Sequence, residues 1–162
     1  MSDQDTILAS AQKALQAGDF AGGLTLVEPL IEGNGGDEQA LYIAAVAARY
    51  LKRFSDAEDY QNRLRAISPE YGRAWQEAGH LAVARNRPEA AIAAYARAVR
   101  FNPALDASWR ELARLQAAAG RDVEARAASL QQQRIAALPR ELLAVTNHLH
   151  EGRLLRAEEI CR

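Results

Sequence analysis

The stretch Ser68-Pro69-Glu70-Tyr71-Gly72-Arg73-Ala74-Trp75-Gln76-Glu77-Ala78 decides the reading of this chain, because its landmarks return 34 residues later. Asn102-Pro103 stands where Ser68-Pro69 did, and Trp109-Arg110-Glu111-Leu112 stands where Trp75-Gln76-Glu77-Ala78 did. The same offset relates Gly18-Asp19-Phe20 to Lys52-Arg53-Phe54, and Ala57 to Ala91 and Ala125. A period of this size in a sequence of helical composition is the mark of stacked helical hairpins, each of which buries its apolar face only against its neighbours. Such an architecture presents a surface; it does not enclose a reaction.

With Pro69 and Pro103 as closing landmarks, the repeats fall near 4–37, 38–71, 72–105 and 106–139, and a fifth begins near 138. Each is expected to hold two helices. Leu41, Ala44, Ala45 and Ala48 follow the i, i+3, i+4, i+7 spacing of one helix face, and no segment alternates apolar and polar residues as a strand would. Gly18-Asp19, Lys52-Arg53, Asn86-Arg87 and Gly120-Arg121 mark the turns between paired helices. Asp19, Ser55 and Asp122 are suited to cap the second helices, Ser55 with Glu58 as a capping box, and Pro88 suits a first helical turn. Gly79, Ala91, Ala113 and Ala125 leave room for close approach of two backbones.

The departures are specific. Gly22, Gly23 and Pro29 fall in the second helix of the first repeat, where an interior proline costs about 3 kcal/mol unless the helix bends, so a bent or fraying end is expected there. The second helix of the fourth repeat is expected to run to Leu138, before Pro139. The fifth unit, Leu142 to His150 and then Leu154 to Arg162, stops inside its second helix, with Leu155, Ile160 and Cys161 uncovered. A terminal solenoid helix normally carries a polar outer face. A short final helix that suffices by itself is one reading; the preferred expectation is the N-terminal part of a longer polypeptide, with self-association through the last helix as another outcome of the same exposed surface.

The third repeat, with Trp75, Gly79, Ala91, Tyr95, Ala98 and Pro103, resembles the tetratricopeptide repeat pattern of bulky residue, small residue, second-helix Ala, aromatic, Ala and closing Pro. The second matches with Leu41, Ala45, Ala57, Leu64 and Pro69, and the fourth with Trp109, Ala113 and Ala125. The resemblance implies an all-α, right-handed superhelical solenoid of antiparallel helix pairs, about four and a half repeats in one domain over residues 1–162. It also implies a concave groove lined by the first helix of each unit. Carried over by position, the groove residues are Tyr42, Val46, Arg49 and Tyr50 in the second repeat, Arg73, Gln76, Glu77 and His80 in the third, and Arg110, Glu111 and Arg114 in the fourth.

That set leans basic, with tyrosines at one end. Arginine binds carboxylates bidentately and tyrosine supplies contact area at low entropic cost, so an acidic or C-terminal protein segment is the expected partner. A solvated helix face with internal ion pairs is the competing reading. The Lys/Asn arrangement with which chaperone-binding members of the family clamp a terminal carboxylate is replaced by Leu8 and Gln12. Trp75 and Trp109 fit the packing position of the pattern and are read as core.

The closing stretch Leu142-Leu143-Ala144-Val145-Thr146-Asn147-His148-Leu149-His150-Glu151-Gly152-Arg153-Leu154-Leu155-Arg156-Ala157-Glu158-Glu159-Ile160-Cys161-Arg162 is similar to the repeats that precede the catalytic domain of bacterial tetratricopeptide-sulfotransferase proteins. That second resemblance implies a helical region that positions an acceptor or mediates assembly for a sulfotransferase whose phosphate-binding loop lies outside this chain.

Composition bounds the function further. The formal net charge of −1 gives no global field for a nucleic-acid backbone or an anionic membrane. No apolar run is long enough to span a bilayer, Met1-Ser2-Asp3-Gln4-Asp5 does not read as a signal peptide, and one cysteine forbids an internal disulfide; a cytoplasmic location is the default. His148 and His150, two apart on a helix, point to nearly opposite sides and do not form a metal pair. Cys161 has no activating motif. Gly33-Asn34-Gly35-Gly36 is not followed by a lysine-serine anchor and reads as a turn. The chain itself is expected to be non-catalytic, with no cofactor and no metal.

Overall fold

The computed structural model describes residues 3–32, 36–152 and 154–161, the side chains of 154–156 and 161 excepted. Residues 33–35 of the turn expected at 33–36, the side chains of Leu155 and Cys161, and Arg162 therefore lie outside the described residues. Ten α-helices follow one another, and no strand occurs among the described residues. They are α1 (Asp3–Gln16), α2 (Phe20–Glu32), α3 (Glu38–Tyr50), α4 (Phe54–Ile67), α5 (Gly72–Ala84), α6 (Pro88–Phe101), α7 (Asp106–Ala118), α8 (Asp122–Ala136), α9 (Arg140–His150) and α10 (Leu154–Cys161). The chain divides into two compact units, Met1–Pro69 and Glu70–Arg162.

The turns within pairs share one mechanism. Gly18, Lys52, Asn86 and Gly120 all take the left-handed conformation, with φ of 81°, 59°, 53° and 73°. The next residue then donates its amide back across the turn, Arg53 to Ala48, Arg87 to Ala82 and Arg121 to Gln116, each at 2.8 Å. This is the Schellman closure, which satisfies carbonyls that the helix end would leave orphaned. Pro88 opens α6, where its missing N–H has no cost.

Capping differs from the sequence expectation at two of three positions. Asp19 does cap α2, accepting from the Gly22 amide at 2.9 Å. Ser55 and Asp122 do not cap, because α4 already begins at Phe54 and α8 at Asp122, with Arg53 and Arg121 as the caps. The left-handed residue fixes where the second helix starts, so the cap is whatever residue follows it. α2 runs unbroken through Pro29 to Glu32. Thr25 and Pro29 are both exposed, so the carbonyl deprived of a donor can be hydrated. α8 ends at Ala136, two residues short of Leu138.

In the first unit α1 packs on α2, α2 and α1 on α3, and α3 on α4. α3 is enclosed by its neighbours: Leu41, Ala44, Ala45 and Ala48 are fully buried, and Ile43 and Ala47 with them. Burial of Leu41 and Leu64 contributes roughly 2 kcal/mol each. Polar ties fix the ends. Asp37 caps α3 by accepting from Ala40 at 2.8 Å, Gln4 reaches Asp37, Ser68 bonds Glu38, and Arg63 donates to the Ile31 carbonyl at 2.7 Å.

In the second unit α5 packs on α6, α6 on α7, and α7 on α8. One core cluster joins all four through Ala82, Ala91, Ile92, Tyr95, Val99, Leu112, Leu115 and Ala128, with Trp109 and Ala113 packed against it. Trp109 thus serves as core, as expected, and its indole N–H donates to the Pro103 carbonyl at 2.9 Å. Trp75 is half-buried beneath the Arg97 guanidinium, 4.6 Å from the ring centroid.

Candidate functional site

On α3 and α5 most alanines are buried and several larger polar residues stay partly exposed. On α3, Tyr42, Val46 and Arg49 are half-buried and Tyr50 is exposed at the C-terminal end. Tyr50 stacks flat on Phe20 of α2, ring centroids 4.1 Å apart and 3° from parallel, and the Arg49 guanidinium lies 4.3 Å from the same ring. Two groups this close cannot share one ring face. Both faces of Tyr50 are therefore covered, and it offers a partner its edge and hydroxyl.

On α5 and α7 the outward residues are Arg73, Gln76 and His80, then Arg110 and Arg114. Arg114 pairs with Glu111 through Nη2 at 2.9 Å, and Arg110 lies 3.8 Å from Asp106. Both arginines remain more than half exposed, so these pairs contribute at most about 1 kcal/mol and yield readily to an incoming carboxylate. His80 is anchored from behind by the Tyr95 hydroxyl, 2.7 Å from Nδ1. Glu77, expected on the same face, is instead buried.

The fifth helix pair behaves differently. α9 and α10 pack on each other, yet among the described residues α9 makes no extended contact with α7 or α8 like that of α7 on α6. The C-terminal end of α9 instead reaches the start of α5. Glu151 forms an ion pair with Arg73, and the Asn102 side chain donates to Asn147 Oδ1 at 2.9 Å. The Glu151 side chain is only 3% exposed in this contact, whereas that of Arg73 is 37% exposed. Sequence reading missed Asn102, Asn147 and Glu151; Asn102 had served only as the landmark before Pro103, and a contact 78 residues apart leaves no periodic trace.

A separate cleft of about 390 Å³ lies in the first unit between α2 and α4, lined by Glu28, Glu32, Asp56, Asp59, Tyr60 and Arg63 among others. The hydrogen bond and charge of Asp56 push the Arg53 guanidinium above its ordinary pKa, and burial pushes the Tyr60 phenol up. The acids there are interleaved with Arg53 and Arg63. Among the described residues no group of three or more His, Cys, Asp or Glu is disposed to hold a metal ion, and no helix is long and apolar enough to cross a membrane.

Solved structures of the same architecture exist. A thermophilic tetratricopeptide protein of Thermus thermophilus, TTC0263, superposes with a TM-score of 0.70 at 22% identity, covering 96% of this chain and 87% of that one. The fold is that of the tetratricopeptide repeat. MamA superposes with a TM-score of 0.69 at 16% identity over 99% of this chain and 90% of its own. The Naa15/Naa10 assembly bound to HypK-THB gives a TM-score of 0.74 at 18% identity, over 98% of this chain but 24% of the matched one. No protein-family model and no curated protein sequence matches.

Of the two positions where the Lys/Asn arrangement is replaced, one is set by packing. Leu8 is buried in the core of the first unit, and Gln12 is exposed on α1. Arg110 and Arg114 stand one turn apart on α7, as the pattern implied, while Arg73 at the start of α5 already holds a carboxylate from the same chain.

Proposed function

We propose that this chain is a non-catalytic scaffold that binds a protein or peptide segment on the faces of its first helices. Tyr42, Val46, Arg49 and Tyr50 serve in the first unit, and Arg73, Gln76, His80, Arg110 and Arg114 in the second. The observation that carries the reading is the division of labour on α5 and α7: Ala82, Leu112 and Leu115 are buried in one core, while Arg110 and Arg114 remain exposed on α7. Arginines so placed bind carboxylates without the entropic cost of ordering a loop. An acidic segment or a free C-terminus is the ligand chemistry they fit. The complex seen for Naa15 supports the reading, since a chain of the same fold there is found with protein partners.

The test is selection from a displayed library of acidic and C-terminally free peptides, followed by titration of the winners against wild type and Arg110→Glu/Arg114→Glu. The double variant should lose binding at least tenfold with unchanged helical circular dichroism. Selected peptides that bind both proteins equally would show that these arginines play no part.

A further inference from the structure

The second unit already contains one ligand of the chemistry proposed above, and it belongs to the chain itself. Asn147 and Glu151 stand four residues apart, with Asn147 on α9 and Glu151 its C-cap, so their side chains lie one above the other on one face. The Asn147 amide oxygen accepts from Asn102, and the Glu151 carboxylate engages Arg73. Asn102 is itself buried and fixed, its own Oδ1 accepting from the Ala104 amide at 3.0 Å. The seat therefore has a rigid amide donor and a guanidinium, spaced to meet an amide and a carboxylate one helical turn apart.

Two further facts bear on how firmly the hairpin is held. Among the described residues, α9 has no wholly buried side chain along its length, and Leu142 and Leu149 remain about half exposed. The ties seen between α9 and the Arg73 end of α5 and Asn102 are polar ones. A buried carboxylate is tolerated only when paired, so Glu151 stays in place through Arg73. A segment with few buried apolar contacts belongs to the part of a fold that opens most easily.

We infer that the α9–α10 hairpin is an intramolecular competitor for the Arg73 end of α5, and that the partner it competes with is an acidic helical segment presenting an amide and a carboxylate one turn apart. The inference rests on the scaffold reading and specifies its partner and its regulation. While the hairpin is seated, external affinity is reduced by the small fraction of open molecules; releasing it removes that reduction.

The experiment uses the full chain in two measurements. Hydrogen exchange of Arg73→Glu should show loss of protection across 140–161, with α6 to α8 unchanged, and Arg73→Glu/Glu151→Arg should restore it. Protection unchanged in Arg73→Glu would overturn the inference. In the second measurement a fluorescent peptide of residues 140–151 is titrated against wild type, Asn147→Ala/Glu151→Gln, and the latter combined with Arg73→Glu. The expected result is about tenfold tighter binding to the released variant than to wild type, lost again when Arg73 is reversed. Equal binding to wild type and the released variant would overturn the competition, and binding to neither would overturn the seat. The scaffold reading is tested separately at Arg110 and Arg114, so its failure is distinguishable from either of these.

Discussion

The ring of Tyr95 occupies the space that a side chain at Gly79 would need: a Cβ there would come within 2.6 Å of Tyr95 Cε1 and 2.7 Å of Cδ1 and Cζ. Tyr95 is fully buried in the core that joins α5 to α8, and its hydroxyl is tied to His80, so the ring has nowhere to go. His80 of α5 and a core contact are thereby coupled through one aromatic ring.

Gly79→Ala should destabilise the protein by about 1–3 kcal/mol, overpacking outweighing the gain of about 1 kcal/mol in helix propensity. Urea denaturation checks it. Tyr95→Phe should not rescue the variant, because the obstructing ring carbons remain, whereas Tyr95→Leu should recover part of the loss; full additivity of Gly79→Ala and Tyr95→Leu would refute the contact.

Ser108, fully buried near the start of α7, has a hydroxyl with no hydrogen-bond partner among the described residues. Ser108→Ala removes that unsatisfied group, keeps nearly the same volume and improves helix propensity. A stabilisation of about 1 kcal/mol is expected, read as a raised midpoint in thermal or urea unfolding.

Lys52 sits at φ 59°, a conformation that costs a side-chain-bearing residue about 1–2 kcal/mol, while glycine loses up to about 1 kcal/mol through the greater freedom of its unfolded chain. Lys52→Gly should therefore stabilise slightly, by about 0.5 kcal/mol on those terms. Lys52→Val should destabilise by more than about 1 kcal/mol, since a β-branched residue is poorly accommodated there. The pair of unfolding midpoints checks the sign of both.

Burial raises the Tyr60 phenol above its ordinary pKa of 10.0, with the Arg53 charge opposing and those of Asp56 and Glu28 reinforcing. The folded state therefore holds this proton more tightly than the unfolded chain does. Its stabilising contribution is complete below pH 10.0 and disappears as pH rises through the folded value. The difference between the ultraviolet titrations of wild type and Tyr60→Phe should show a midpoint above 10.0; a midpoint at or below that value would contradict the burial.

The helix pairs were legible in the sequence because periodicity and turn chemistry are local. Gly18, Lys52, Asn86 and Gly120, read as turn positions from their spacing, all adopt the left-handed backbone. Capping was less legible: Ser55 has the right chemistry but falls one residue inside a helix whose start is set by Lys52. Among the candidate binding residues, sequence position placed Arg110 and Arg114 on one helix face. It could not show that Tyr50 is sandwiched between Phe20 and Arg49, because stacking depends on how α2 meets α3.

By itself the sequence determined the succession of helix pairs, the turns between partners and the alanine-rich seams, all of which follow from which residues fit a helix face or a left-handed turn a few positions away. Only the tertiary structure decided that Arg73 is engaged by Glu151 and Asn102 by Asn147. Those contacts join residues 78 and 45 positions apart and depend on where the last hairpin comes to rest. Nothing in a repeat of 34 residues encodes that placement, since neither separation is a multiple of the period.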